Sequence, residues 1–183
     1  MLYKRSVEKI KNQGSIILKS SFLSTLSPLQ RYEFLQFCHR REYIEGEYIY
    51  YQNDPGTGLY FIENGQVQLL VEQAGSEQRK QELMFSISQG ERFGEFSVGY
   101  DVRRMCSARC LSDCVLLGFF KPDFETLKKR QPDIAVKFLE SLTNLVVKQL
   151  DSTTRKLEES ADILTAFKVR ISSTYDDDVK KQI

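Results

Sequence analysis

Two charged residues, Glu95 and Arg104, have the types and spacing expected of a binding site for a small anion. Glu95 follows Gly94, and Arg104 lies ten residues after that glycine. If a helical turn begins at Gly94, the amides of residues 95–98 lack earlier carbonyl partners and can donate to an anion. The arginine adds a permanent charge and a planar set of donors that suits phosphate oxygens. Because a carboxylate repels an anion, Glu95 must instead accept a hydrogen bond from a neutral group, such as a sugar hydroxyl.

Each of these residues also has an ordinary structural explanation. Glu95 is an acid in the first turn of a helix, where negative charge is stabilising. Arg104 can form a salt bridge with Glu95 or with Asp101. From the residues alone, the segment either binds a ligand or only keeps its shape.

Within the segment 92–109, GEFSV at 94–98 and, five residues later, RMCS at 104–107 resemble the phosphate-binding cassette of cyclic nucleotide-binding domains, the family of catabolite activator protein and the protein kinase A regulatory subunits. Two earlier motifs resemble the family's early strands and hairpin, and they stand in the family's order: YIEGEYI at 43–49 and GLYFIENGQV at 58–67. Three motifs in order are more specific than any one of them. The resemblance covers residues 20–150.

The resemblance implies a role for each residue of the cassette. Glu95 would accept a hydrogen bond from the ribose 2′-hydroxyl, and Arg104 with the cassette amides would bind the cyclic phosphate. The expected ligand-binding residues are Gly94, Glu95, Phe96, Ser97, Arg104, Met105 and Cys106. Family members usually have small residues after the arginine, so the thioether of Met105 lowers the expected affinity. Members that favour cyclic GMP commonly have a hydroxyl there, so Met105 favours cyclic AMP, with cyclic GMP as the alternative.

The amino-acid composition indicates which classes of partner the chain is expected to bind. The 183 residues carry 26 Lys and Arg against 25 Asp and Glu, a net charge of +1, so the chain lacks the basic footprint of a nucleic-acid binder. The residues after Leu150 are few for a helix-turn-helix domain and contain no glycine for its tight turn. No apolar run approaches a membrane span, and no signal peptide is recognisable. We expect a cytoplasmic protein that binds neither DNA nor membranes directly.

The residue types give little indication of an enzyme. His39 is the single histidine, whereas a metal-dependent jelly-roll enzyme needs several converging on one ion. Three cysteines recur at every fourth position, Cys106, Cys110 and Cys114, so a metal site or a disulfide is an alternative. Cysteine is also a small residue that is commonly buried, and the paired zinc spacing is missing. We predict no enzyme, no metal and no cofactor other than the nucleotide ligand.

The centre of the chain has the pattern of an antiparallel β-roll. Nine of the ten glycines lie from Gly46 to Gly118, between short runs rich in β-forming residues. The predicted strands are 48–51, 59–62, 66–71, 82–87, 105–111 and 115–120. The aromatic residues of these runs either fill the roll or form a platform for a base. The fold class is α+β, mainly β, with a jelly-roll domain over 20–131.

Helices are predicted on both sides of the roll. A helical lead-in occupies 1–19, and Ser27-Pro28 starts a helix that has His39 at its polar end. A short helix over 121–130 is followed by one long helix and a tail over 132–183, without an interrupting glycine or proline.

The long helix has a narrow apolar seam with steps of three and four residues. Its members are Leu139, Leu142, Val146, Leu150, Thr153, Leu157, Ala161 and Leu164. Such a seam favours a parallel homodimer through 132–164, and the alternative is one helix lying on its own roll. Phe138 is expected to face the roll, and Gln149 and Ser152 are candidate contacts of the base in a helical lid.

These observations predict a cyclic nucleotide sensor that signals through its C-terminal helix to a protein that the sequence does not identify. Ligand binding would shift the population between two positions of that helix. The alternatives are a structural dimerisation module with a degenerate pocket, and a transcriptional regulator that lacks its DNA-binding domain.

Overall fold

A computed structural model describes residues 15–72, 81–98 and 101–179. The chain divides into two compact units, Met1–Leu139 and Glu140–Ile183. Within the described residues there are eight β-strands, five α-helices and one 3-10 turn. The helices are α1 Ser15–Lys19, α2 Pro28–Leu35, α3 Lys121–Arg130, α4 Pro132–Ser160 and α5 Ile163–Val179. Residues 1–14 of the predicted lead-in lie outside the described part of the chain.

The strands form two four-stranded antiparallel sheets, which confirms the predicted β-roll. They are β1 His39–Tyr43, β2 Tyr48–Tyr50, β3 Gly58–Asn64, β4 Gln66–Glu72, β5 Gln81–Ser88, β6 Arg92–Phe93, β7 Ser107–Cys110 and β8 Cys114–Phe120. One sheet has the order β1-β8-β3-β6 and the other β2-β7-β4-β5. Strands adjacent in sequence, such as β7 and β8, therefore often lie in different sheets.

Aromatic residues fill both sides of the first sheet, which is the first of the two roles expected for them. On the side of the helices, Phe34 lies 4.6 Å from Phe119 and 5.4 Å from Phe138, measured between ring centroids. Phe138 therefore packs on the roll as expected. In the roll interior Tyr60 stacks on Phe93 at 5.3 Å. These rings are buried, and truncating one to alanine costs about 3–5 kcal/mol.

The predicted place of His39 was wrong. Helix α2 starts with the expected capping box at Ser27 but ends at Leu35, and His39 is the first residue of β1, which pairs with β8. The strand lies at a sheet edge and its side chains are mostly exposed. It therefore shows no alternation of apolar and polar residues, which is the signal that reveals a half-buried strand.

The long C-terminal helix is interrupted, which the sequence did not predict. Helix α4 ends at Ser160 and α5 begins at Ile163. Between them, the carboxylate of Asp162 accepts hydrogen bonds from the amides of Leu164 at 2.9 Å and Thr165 at 3.0 Å. This local cap competes with helix continuation. Consequently Ala161 and Leu164 do not extend the apolar seam of α4.

Candidate functional site

A left-handed glycine starts the cassette. Gly94 has φ 80°, and it is followed by a single 3-10 turn, Glu95–Ser97, rather than a longer helix. The amides of Ser97 and Val98 donate to the carbonyls of Gly94 and Glu95 at 3.3 and 3.4 Å. These two amides are occupied because a 3-10 turn closes its hydrogen bonds one residue earlier than an α-helix. The amide of Glu95 donates to its own carboxyl, so three of the four amides expected to face an anion are occupied.

Arg104 is buried at the centre of the cassette, with 5% of its surface exposed. Its Nη1 donates to the carbonyl of Gly94 at 3.1 Å and to Oγ of Ser97 at 3.0 Å. Its Nη2 donates to the carbonyl of Gly58 at 2.8 Å. The guanidinium carbon also lies 4.2 Å from the centre of the Tyr50 ring, a cation–π distance. The side chain is therefore fixed by four residues from three parts of the chain.

These contacts leave the Nε donor of the guanidinium without a partner. A guanidinium has five N–H donors, and the three hydrogen bonds leave the Nε–H and one hydrogen of Nη2. Nε is buried and has no hydrogen-bond partner within the described part of the chain. A buried donor without a partner costs free energy, about 1–3 kcal/mol. In general, the Nε and one Nη of a guanidinium can donate together to two oxygens of a phosphate or carboxylate group.

Glu95 is also buried, with 8% of its surface exposed. Burial raises the pKa of its carboxyl above the ordinary value, and this effect is opposed by a hydrogen bond from its own amide and by the charges of Arg92 and Arg104. Asp101, the other carboxylate considered for Arg104, instead pairs with Lys121. The hydrogen-bond partners of Arg104 among the described residues are carbonyls and a hydroxyl, so the structure does not support the simple salt-bridge explanation.

The remaining predicted cassette residues differ in exposure. Phe96 is exposed, and Met105 has 85% of its surface exposed, so the methionine thioether does not occupy the space beside Arg104. Cys106 is half-buried; burial raises the pKa of its thiol, opposed by a hydrogen bond with Tyr50 and by the Arg104 charge. Ser97 is buried and contributes its hydroxyl to Arg104.

The two predicted lid residues lie on α4. Gln149 is half-buried and Ser152 is exposed. Both belong to the second unit of the chain. Their contact with a nucleotide base stays a prediction.

Sequence reasoning missed the residues that hold Arg104 from outside the cassette. Tyr50 and Gly58 contact it across 54 and 46 positions, and no local pattern marks such a pairing. Gly56 had a usable signal, because it stands in a Gly-Thr-Gly run. A Cβ at Gly56 would lie 2.2 Å from Oγ of Ser97, so this glycine permits the close approach of the serine that accepts from Arg104.

The described ranges contain no group of three or more metal-ligating side chains. The cysteines are free thiols, and two of them, Cys110 and Cys114, are buried in the roll. In the part of the chain with described structure, no helix is long and apolar enough to cross a membrane.

Comparisons with known proteins agree with this geometry. Residues 40–131 match the family model of the cyclic nucleotide-binding domain. The cyclic AMP receptor protein of Thermus thermophilus is 31% identical over 141 residues, which are 77% of this chain and 60% of the relative. The human cGMP-dependent protein kinase 2 is 23% identical over 112 residues, 61% of this chain and 14% of the kinase. The chain thus spans only part of the length of these relatives.

The fold also matches solved structures. The crystal structure of Thermus thermophilus catabolite activator protein has a TM-score of 0.67 and 28% sequence identity, and the match covers 78% of this chain and 63% of that chain. The family model covers half of the chain and includes the whole cassette. The resemblance inferred from the motifs is therefore confirmed: the chain belongs to the cyclic nucleotide-binding domain family.

Proposed function

We propose that this protein is a regulatory sensor that binds a cyclic nucleotide, cyclic AMP in preference to cyclic GMP. One observation carries the proposal: Arg104 is buried and held by three hydrogen bonds, yet its Nε donor has no partner in the described part of the chain. A buried guanidinium donor without a partner can donate to a phosphate oxygen.

The cassette residues would then have separate roles. Nε and Nη2 of Arg104 would donate to the two exocyclic oxygens of the cyclic phosphate. Glu95 would accept a hydrogen bond from the ribose 2′-hydroxyl, which removes the repulsion between its carboxylate and the phosphate. Tyr50 and Ser97 would not touch the ligand but would hold the guanidinium in place. Because the site is buried, these charge-assisted hydrogen bonds are stronger than they would be in water.

The preference for cyclic AMP is supported by the residue after the arginine. Met105 offers no hydroxyl, and its side chain is exposed rather than directed at Arg104. One relative is named for cyclic AMP, and a less similar one for cyclic GMP. Nucleotide selectivity is therefore part of the proposal and is tested with both ligands.

We propose that α4 transmits the signal within a homodimer. Several apolar residues of the predicted seam are exposed in the single chain, among them Leu139, Val146 and Leu150. A second copy of the helix would cover them, as in other apolar seams of this spacing. A nucleotide that binds one position of the helix more tightly would shift the population toward that position. Such a sensor is a regulator without catalytic activity of its own.

Isothermal titration calorimetry with cyclic AMP and cyclic GMP tests the binding function. Wild-type protein should bind cyclic AMP more tightly, and Arg104→Ala should weaken binding at least about tenfold, since a charge-assisted hydrogen bond contributes about 1.5–3 kcal/mol. Arg40→Ala is the control, because this arginine lies on β1 and pairs with Glu42 and Glu63 rather than with the cassette. Glu95→Ala provides a second test if Arg104→Ala does not fold.

The alternative function is a structural module whose cassette binds nothing. It is favoured by the internal hydrogen bonds that already satisfy three donors of Arg104. If folded wild-type protein gives no heat with either nucleotide at millimolar concentration, the sensor proposal is wrong and this alternative replaces it.

A further inference from the structure

The first unit contains a large cavity apart from the site of Glu95 and Arg104. Its volume is about 850 Å³, in the range of small-molecule sites. It lies between β1, the loop 55–57, the segment 101–103 and the start of α3. Neither Glu95 nor Arg104 lines it. The site proposed for the cyclic nucleotide therefore does not account for this cavity.

Part of the lining is apolar and aromatic. Tyr60 is buried, and Phe120 lies against it with ring centroids 5.5 Å apart. Pro55, Val102 and Pro122 also line the cavity. A flat apolar group packed on these surfaces would be removed from water, which is favourable at about 25 cal/mol per Å².

The residues that line the cavity include more positively charged side chains than negatively charged ones. The Arg41 guanidinium lies 4.9 Å from the centre of the Phe120 ring, and Nη1 of Arg103 donates to the carbonyl of Asn53 at 2.7 Å. Among the described residues neither arginine forms an ion pair with a carboxylate. Both side chains are therefore positioned by neutral groups, and their charges are available to a ligand.

The two acidic residues that line the cavity, Asp101 and Asp123, already have hydrogen-bond or ion-pair partners. Asp123 accepts from His39 Nε2 at 2.8 Å through Oδ1, and from the amide of Phe120 at 2.9 Å through Oδ2. Asp101 pairs with Lys121. Lys121 offsets the charge of Asp101, and Asp123 is then the one remaining carboxylate among the lining residues, so the two positive charges of Arg41 and Arg103 exceed the negative charge that an incoming molecule meets.

We infer that this cavity binds a small organic anion, with its flat apolar part against Tyr60 and Phe120 and its phosphate or carboxylate group at Arg41 and Arg103. The inference does not depend on the cassette. It requires only a ligand whose charge complements the arginines and whose apolar part fits the aromatic lining. A neutral molecule of the same shape would gain the packing but not the charge-assisted hydrogen bonds.

Amide chemical shifts in two-dimensional NMR test this inference on the full chain. The probes are naphthyl phosphate, naphthoate and the uncharged naphthalenemethanol. The anionic probes should cause saturable shifts in β1, in 55–57 and at the start of α3, and the uncharged probe should bind about tenfold more weakly. Tighter binding of the phosphate or of the carboxylate identifies which anionic group the site prefers. Equal binding of the uncharged probe, or shifts confined to 94–98 and 104–106, would overturn the inference.

Two variants and one control test whether Arg41 and Arg103 supply the positive charges that bind the anionic probe. Arg41→Gln and Arg103→Gln should each weaken binding of the anionic probe about tenfold. Arg40→Gln is the control, because Arg40 is on the same strand but pairs with Glu42 and Glu63. The spectrum of each variant shows at the same time whether it is folded. Unchanged affinity in both folded variants would contradict the assignment. Since no cyclic nucleotide is used, the result is independent of the proposed function of the cassette.

Discussion

The guanidinium carbon of Arg104 lies 4.2 Å from the centre of the Tyr50 ring. Tyr50 is the last residue of β2, and its ring is 5.9 Å from that of Phe93 in the roll interior. The strand that carries the tyrosine belongs to one sheet, whereas Phe93 belongs to the other. The arginine is thus held by a ring whose position depends on the packing of both sheets.

We predict that Tyr50→Leu weakens cyclic AMP binding about tenfold. The substitution removes the ring face beside the guanidinium, and such cation–π contacts contribute about 0.5–2 kcal/mol, more when buried. Tyr50→Phe keeps the ring and should stay within about threefold of wild type. Calorimetry measures the affinities, and thermal unfolding checks that both variants are folded.

The neighbouring Tyr51 provides a matched control. It is exposed and stacks on Tyr48 rather than on Arg104, so Tyr51→Leu should leave the affinity unchanged. If Tyr50→Phe were as weak as Tyr50→Leu, the hydroxyl and its contact with Cys106 would be responsible, and the cation–π explanation would be wrong.

Gly56→Ala should destabilise the fold by about 1–3 kcal/mol, the usual cost of overpacking. The new Cβ would lie 2.2 Å from Oγ of Ser97 and 2.7 Å from the carbonyl oxygen of Val102. Adding Ser97→Gly removes the first clash and should recover part of the loss in urea unfolding. Gly90→Ala is the comparison: it has a φ of 96° but no atom within 4 Å, so its cost comes from backbone strain alone. No recovery in the double variant would show that Ser97 is not the obstacle.

The elements that were predicted correctly have strong local signals. Ser27 and Pro28 combine a side-chain cap with a fixed φ in the first helical turn, and the capping box is present. The strand around Tyr60 alternates between the roll interior and the helices, which produces the apolar run seen in the sequence. The cassette was found because its glycine, acid and arginine lie within a short segment of the chain.

The features that were missed depend on distant or competing contacts. Strand β1 begins at His39 and is exposed at a sheet edge, so it has no apolar periodicity. The helix break at Asp162 results from a side-chain cap that competes with an otherwise favourable helical sequence. Nothing local distinguishes Tyr50, which contacts Arg104, from Tyr51, which does not.

Glu95→Gln should stabilise the protein increasingly as the pH rises. Burial raises the pKa of Glu95 above its ordinary value of 4.5. Between that value and the raised one, the folded state binds more protons than the unfolded state, so the free energy of unfolding falls with rising pH. Glutamine does not titrate, so the free energy of unfolding of the Glu95→Gln variant does not fall for this reason. The difference between variant and wild type should be smallest below pH 4.5 and largest at neutral pH.

Urea unfolding across this pH range measures the difference. Glu159→Gln is the control, because Glu159 is an exposed acid on α4. Its difference from wild type should not change with pH to the same extent. A constant difference for Glu95→Gln at every pH would mean that burial does not penalise the charged carboxyl.

The proposed homodimer predicts that charges on the seam of α4 separate the subunits. Val146 and Leu150 are 40% and 49% exposed in the single chain, and a dimer would bury them. Val146→Asp with Leu150→Asp should halve the mass measured by light scattering, since two buried unpaired carboxylates per helix are costly. Asn144→Asp with Lys148→Asp is the control on exposed positions of the same helix and should keep the wild-type mass. A wild-type protein that already has the mass of one chain would contradict the dimer, and so would a seam variant that keeps the dimer mass.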